Sequence, residues 1–170
     1  MKFTTKDLAY NGIVAAIYVA LTLLAMPISY GAIQFRISEM LVLLVFFNKK
    51  YTWGICLGTA LANLGSTLSM WDVLFGTAAT LIACVGIMFS KHLLVATIYP
   101  VLINAIVIGF EIYMLGGFGD FLMLYCVPAL QVAGGELVVL VAGYLLFMLL
   151  KQRKDFGEII NGNQNLDFKW

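Results

Sequence analysis

Apolar residues run along this chain in long blocks broken by short polar stretches, and the blocks define six segments, at residues 8–28, 37–48, 51–69, 73–90, 93–115 and 120–150. A helix crossing about 30 Å of hydrocarbon needs about 20 largely apolar residues. Five segments meet that length. The second, of about 12–14 residues, rises only about 20 Å as an α-helix, so charge has to decide whether it crosses. Lys and Arg favour the cytoplasmic side of a membrane, and they fall at Lys2 and Lys6, at Lys49 and Lys50, at Lys91, and at Lys151, Arg153 and Lys154. Pairs of segments separate these clusters. The pattern predicts six crossings, the short second helix included, with both termini cytoplasmic. Among bases only Arg36 falls at the opposite ends, near Glu39, Asp72 and Asp120. The expected fold is an all-α integral membrane protein of six transmembrane helices, with one membrane-embedded domain over 1–150. The tail at 151–170 is polar and turn-prone and reads as a cytoplasmic extension.

Composition agrees with the pattern: 62% of the 170 residues are hydrophobic and 11% are charged, against about 45–50% and about 25% in soluble domains. A water-soluble fold is excluded, and a multi-pass protein of the cell membrane is expected. The first apolar run is too long for a signal-peptide core and predicts an uncleaved first span. Cys56, Cys84 and Cys126 sit in apolar runs without paired or metal-type spacing and read as packing residues. A net charge of +1 with scattered bases leaves no footprint for nucleic acid. The sole histidine, His92, follows Lys91, and no His-Glu-x-x-His or Gly-x-Ser-x-Gly pattern occurs, so neither a metal site nor an enzyme is expected. No cofactor is implied. Without a Gly-x-x-x-x-Gly-Lys loop, ATP-driven work would fall to another chain. No span carries the recurring polar stripe that would line a channel.

The candidate chemistry lies in polar residues inside apolar sequence, where an ionisable group costs at least about 2.5–3.5 kcal/mol and faces an interior cavity. Glu136 and Gln131 lie along the sixth segment, Asn104 midway and Glu111 late in the fifth, while Arg36, Glu39, Asn63 and Asp72 gather at segment ends opposite the lysines. At about 1.5 Å rise per residue all eight fall in the outer half or middle of the membrane, where they can converge on a pocket open to the outside. Other readings stand beside this one. Arg36 and Glu39 could form an interfacial ion pair with Ser38 as cap, and Glu111 and Asp72 could mark the water boundary. Gln131 and Glu136, five apart, lie about 140° from one another on a helix, so sharing a wall needs a bend, for which Pro128 or Gly134-Gly135 is suited. Asp120 reads as a turn and helix-start residue. Trp53, Trp71, Tyr30, Tyr51, Tyr113 and Tyr125 fit interfacial belts, and a flat heterocycle could stack on one of Tyr30, Phe35, Trp71, Tyr113 or Tyr125. Small residues four apart, at Gly12, Ala16 and Ala20, at Gly54, Gly58 and Ala62, and at Gly76, Ala79, Ala83 and Gly86, suit helix packing or docking of another subunit.

Three stretches carry a family resemblance: Ile33-Gln34-Phe35-Arg36-Ile37-Ser38-Glu39, Gly58-Thr59-Ala60-Leu61-Ala62-Asn63-Leu64 and Asp72-Val73-Leu74-Phe75-Gly76-Thr77. Together they resemble the QueT-type S components of energy-coupling factor importers, over most of the chain from about Lys6 to Lys151. The resemblance implies a six-helix bundle that binds a vitamin-like molecule, here a queuosine precursor of the 7-deazaguanine type. It implies docking onto a membrane scaffold subunit with two ATPases, followed by toppling in the lipid bilayer. The family's Ala-x-x-x-Ala contact for the scaffold matches Ala16 and Ala20, with Gly12 on the same stripe. Position 2 is Lys where metal-type S components carry His, which disfavours nickel or cobalt. A guanine edge suits a carboxylate with an amide, such as Glu136 with Gln131 or Asn104, and an aminomethyl ammonium would suit Glu39, Asp72 or Glu111. Two rivals remain: an assembly subunit whose polar residues join helices, and a solitary proton-coupled carrier with Glu111 or Glu136 as relay.

Overall fold

Thr4 and Asp7 cap the first helix reciprocally. The Asp7 N–H donates to Thr4 Oγ1 at 3.2 Å and the Thr4 N–H to Asp7 Oδ2 at 2.8 Å, which satisfies two donors that a helix start leaves open. From there α1 runs over Thr5–Leu24. The computed structural model describes residues 3–29, 35–66 and 70–150. It continues with α2 over Ile37–Phe47, α3 over Thr52–Asn63, α4 over Met70–Phe89, α5 over Leu93–Leu115 and α6 over Leu122–Leu150. The tail at 151–170, Tyr30 and Gln34 lie outside the described residues.

Each of the six segments is helical, but only α1, α4, α5 and α6 are long and apolar enough to cross a membrane. The third segment, expected over 51–69, leaves the helix at Asn63: the Gly65 N–H turns back to the Ala62 carbonyl and the Ser66 N–H to that of Asn63. In the second, Ile37–Leu43 forms a 3-10 helix and Leu44–Phe47 an α-helix. The 3-10 rise of about 2.0 Å per residue stretches α2 to about 20 Å. Residues 42–47 are buried throughout, so α2 is walled by protein. In α6 the helix continues through Pro128 and Gly134-Gly135, over Val127–Leu150. The irregularity comes just before, as a π-helical turn over Leu122–Cys126. Proline lacks the N–H for the carbonyl four residues back and crowds it, and a widened turn makes room for that clash.

Small residues set the packing. A Cβ on Gly54 would lie 2.6 Å from the Asn11 carbonyl oxygen, and one on Gly58 2.8 Å from Tyr18 Cβ, so α3 lies directly against α1. Gly109 meets Ala129 between α5 and α6, and Gly143 meets Met40 between α6 and α2. Ala79 and Ala83 of α4 are buried, and Gly86 abuts the Tyr99 ring of α5. The order around the bundle is therefore α1, α3, α4, α5, α6, with α2 filling the gap between α6 and α1. The third stripe of small residues differs. Gly12, Ala16 and Ala20 are exposed along the outside of α1, with nothing within 4 Å of a Cβ at Gly12.

Successive elements alternate in direction, which brings Lys6, Lys49, Lys50 and Lys91 to one end of the bundle. There Lys50 Nζ meets Asp7 Oδ2 at 2.6 Å, and Asn11 Oδ1 accepts the Gly54 N–H at 2.7 Å. α3 starts at this basic end and, at 12 residues, carries Asn63 about 18 Å along the bundle axis.

Candidate functional site

Seven of the eight polar candidates are buried, among them Asn63 and Glu111 at 0%, Glu39 at 1% and Glu136 at 3% exposure. Four of them lie at helix ends and three within helices. Arg36 and Glu39 sit at the start of α2, Asn63 at the end of α3, and Asp72 in the first turn of α4. Asn104 and Glu111 lie two turns apart on α5, and Glu136 faces them from α6.

Hydrogen bonds join these residues into a network. Arg36 Nη2 donates to Asn63 Oδ1, and Asn63 Nδ2 donates to the Asp72 carbonyl at 2.7 Å. The Ser66 hydroxyl donates to Asp72 Oδ2. Gly76 is what admits the Asn63 amide, since a Cβ there would overlap Nδ2. On the other side, the Tyr18 hydroxyl donates to Glu39 Oε1 at 2.5 Å, and the Thr22 and Ser38 hydroxyls pair at 2.6 Å. Between α5 and α6, Asn104 Nδ2 donates to Glu136 Oε1 at 2.6 Å. The Arg36 guanidinium stands amid Tyr18, Glu39, Glu136 and Asp72, and the carboxyls of Glu111 and Asp72 face one another.

Part of each charged group is left over. Arg36 Nε, Glu39 Oε2 and Glu136 Oε2 are buried without a hydrogen-bond partner, while the Glu111 carboxyl has that of Asp72 to meet. Leaving a buried polar atom unpaired costs about 1–3 kcal/mol, and native proteins hold few of them. Three such atoms on three neighbouring residues make this cluster the candidate site.

The structure revises several expectations. Arg36 and Glu39 are no interfacial ion pair: both are buried, Glu39 bonds to Tyr18 instead, and Ser38 meets Thr22 rather than capping α2. Gln131 is half-buried and does not join the network; five positions from Glu136, it lies about 140° around the helix from it. Asp120 does start a helix, with its Oδ1 accepting the Met123 N–H at 3.0 Å. Tyr113 and Tyr125 belong to an aromatic group with Phe118 and Phe121, in which Phe121 and Tyr125 stack at 4.9 Å. Tyr18, Thr22 and Ser66 are network members that the sequence reading missed. A signal existed for two of them, since Asn11, Tyr18 and Thr22 recur at spacings of seven and four on one face of α1. Among the described residues no group of three or more His, Cys, Asp or Glu is arranged to hold a metal ion.

Residues 8–152 match the profile of a family described as "QueT transporter". The chain belongs to the QueT transporter family. Over 83 residues it is 45% identical to a "Queuosine precursor transporter QueT" from Lactococcus lactis subsp. cremoris (strain MG1363). That match covers 48% of this chain and 48% of the relative, so it spans about half the length of the curated protein. No solved structure matches. By its description the family is one of transporters, and the family match at residues 8–152 contains every residue of the buried network.

Proposed function

We propose that the chain is the substrate-binding S component of an energy-coupling factor importer and captures a queuosine precursor of the 7-deazaguanine type for ATP-driven uptake by partner subunits. The observation that carries this reading is the match between the unpaired buried atoms and a guanine edge. That edge offers two donors, N1–H and the exocyclic amine, beside one acceptor oxygen. The site offers carboxylate oxygens lacking donors, on Glu39 and Glu136, beside one N–H lacking an acceptor, Arg36 Nε. Asn104 holds the other Glu136 oxygen, and Asn63 holds the guanidinium, so both groups are pre-positioned before ligand arrives.

Two further features support the subunit reading. The exposed Gly12, Ala16 and Ala20 stripe gives α1 a smooth outer face on which a scaffold helix can pack closely. The lysines gathered at one end fit six crossings of the cell membrane with that end, and both termini, in the cytoplasm.

Calorimetric titration of 7-deazaguanine precursors into the purified chain in detergent, with guanine, riboflavin and biotin as controls, tests the ligand. The expected result is one-to-one binding of a deazaguanine alone. Glu136→Gln should weaken it by at least about tenfold, the size of a lost hydrogen bond to a charged group. Unchanged affinity in that variant would remove Glu136 from the site, and silence across the whole series with a folded protein would defeat the proposal.

A further inference from the structure

Cys56 of α3 and Cys84 of α4 belong to the seam between those two helices, and the register of the seam sets them opposite one another. α3 and α4 run antiparallel, and at the end remote from the lysines the Asn63 side chain fits against Gly76. Counting from that contact, Thr59 lies four residues along α3 and Thr80 four along α4, and both are buried. Cys56 lies seven along α3 and Cys84 eight along α4, so at the helical rise both fall about 10–12 Å from the contact. The backbones come close on this stretch, because α4 brings the buried Ala79 and Ala83 to it. The two thiols face one another across the seam.

Their surroundings are unequal. Cys84 is fully buried, while Cys56 is half-buried and has the exposed Trp53 and Leu57 beside it, at the margin of the face that α3 turns to lipid. The Cys84 S–H is placed to donate to a Cys56 thiolate. A partly accessible thiol with a second thiol behind it is the arrangement of a reactive cysteine and its resolving partner. A disulfide spans about 4.4–6.8 Å between Cα atoms, which suits a seam made close by small residues. Cys126, the third cysteine, stands apart in the π-helical turn of α6.

We infer that Cys56 and Cys84 form a redox modification site, a dithiol that an apolar organic hydroperoxide arriving through the membrane converts to a disulfide joining α3 to α4. The Cys56 sulfur gives up its proton and attacks the terminal peroxide oxygen. The O–O bond breaks, the alkoxide takes up the proton and leaves as an alcohol, and Cys56 becomes a sulfenic acid. The Cys84 sulfur then gives up its proton and attacks the Cys56 sulfur; the S–O bond breaks, the S–S bond forms, and the hydroxide leaves with that proton as water. Two electrons pass from the thiols to the peroxide. The bridge lies about two helical turns from Asn63, with Glu39 near both sulfurs, so it ties together the two helices that carry Asn63 and Asp72 into the network.

The test treats the full chain in detergent with cumene hydroperoxide, alkylates the thiols that remain, and maps the linked peptides by mass spectrometry. Cys56 should be found joined to Cys84, and dithiothreitol should free both. Oxidation should raise Tm by at least about 5 °C, because a bridge closing residues 56–84 restricts the unfolded chain, and reduction should reverse the rise. In Cys84→Ser the sulfenic acid of Cys56 has no partner, so dimedone should label Cys56 there and not in the oxidised wild-type chain; Cys84→Ala gives the same reading if the first variant fails to fold. Folded wild-type protein in which both thiols stay free, or in which either pairs with Cys126 instead, would overturn the proposal, as would a bridge that leaves Tm unchanged. An unlabelled Cys56 in the variants would overturn its part as the attacking thiol.

Discussion

Tyr18 carries a hydroxyl into the middle of the first span and spends it on Glu39. Replacing it by Phe leaves both Glu39 oxygens without donors, since Oε2 already has none, so Tyr18→Phe should destabilise the protein by about 1–3 kcal/mol. Thermal unfolding in detergent reads this as a lowered Tm that added ligand partly restores. An unchanged Tm would mean that Glu39 finds another donor. The acids and amides of the network were legible in the sequence because a charge or amide inside an apolar run has no cheap alternative to an interior partner. Tyr18 was not, because tyrosine is equally at home in an interfacial belt and its ring hides its hydroxyl among apolar neighbours. Gln131 shows the reverse error. Its residue type suited the chemistry, but five positions along α6 set it about 140° around the helix from Glu136, and the helix runs on through Pro128 and Gly134-Gly135.

Helix–helix contacts divide the small-residue stripes into two kinds that the sequence left alike. Gly54 and Gly58 are consumed by α1, so Gly58→Ala forces a methyl to within 2.8 Å of Tyr18 Cβ and 3.1 Å of the Ala15 carbonyl oxygen. Overpacking of this kind costs about 1–3 kcal/mol, whereas Gly12→Ala, with open space around it, should leave Tm unchanged or slightly raised by better helix propensity. Comparing the two variants in one unfolding assay checks the assignment of faces, and equal losses would contradict it. The six helical segments themselves followed from the apolar blocks. The helix boundary of the third did not: the Leu64-Gly65-Ser66 turn ends it early, and that turn is what lets Asn63 reach Arg36 and Asp72 while Ser66 swings back to Asp72.

At the scale of the whole bundle, the buried network and the smooth stripe lie on opposite faces of α1. Asn11, Tyr18 and Thr22 point inward, and Gly12, Ala16 and Ala20 point out. A bulky substitution such as Ala16→Trp should therefore abolish co-purification with a scaffold and ATPase module while calorimetry finds ligand affinity intact. Loss of both together would mean that the outer face also shapes the pocket. Charge clusters made the up-and-down order of the elements readable, yet nothing in composition reveals that α2 lies within a wall of longer helices. That placement sets how the protein meets membranes of different thickness. Helices in contact with lipid tilt or shift when the hydrocarbon is too thick or too thin, at a fraction of a kcal/mol per ångström of mismatch. α2 carries Arg36 and Glu39 at its head, touches protein along residues 42–47, and is spared that adjustment. The floor of the site then rides inside the bundle like a gauge block in a sleeve. Affinity measured in short-chain and long-chain lipid vesicles should agree, while the tilt of α1 and α6 changes between them.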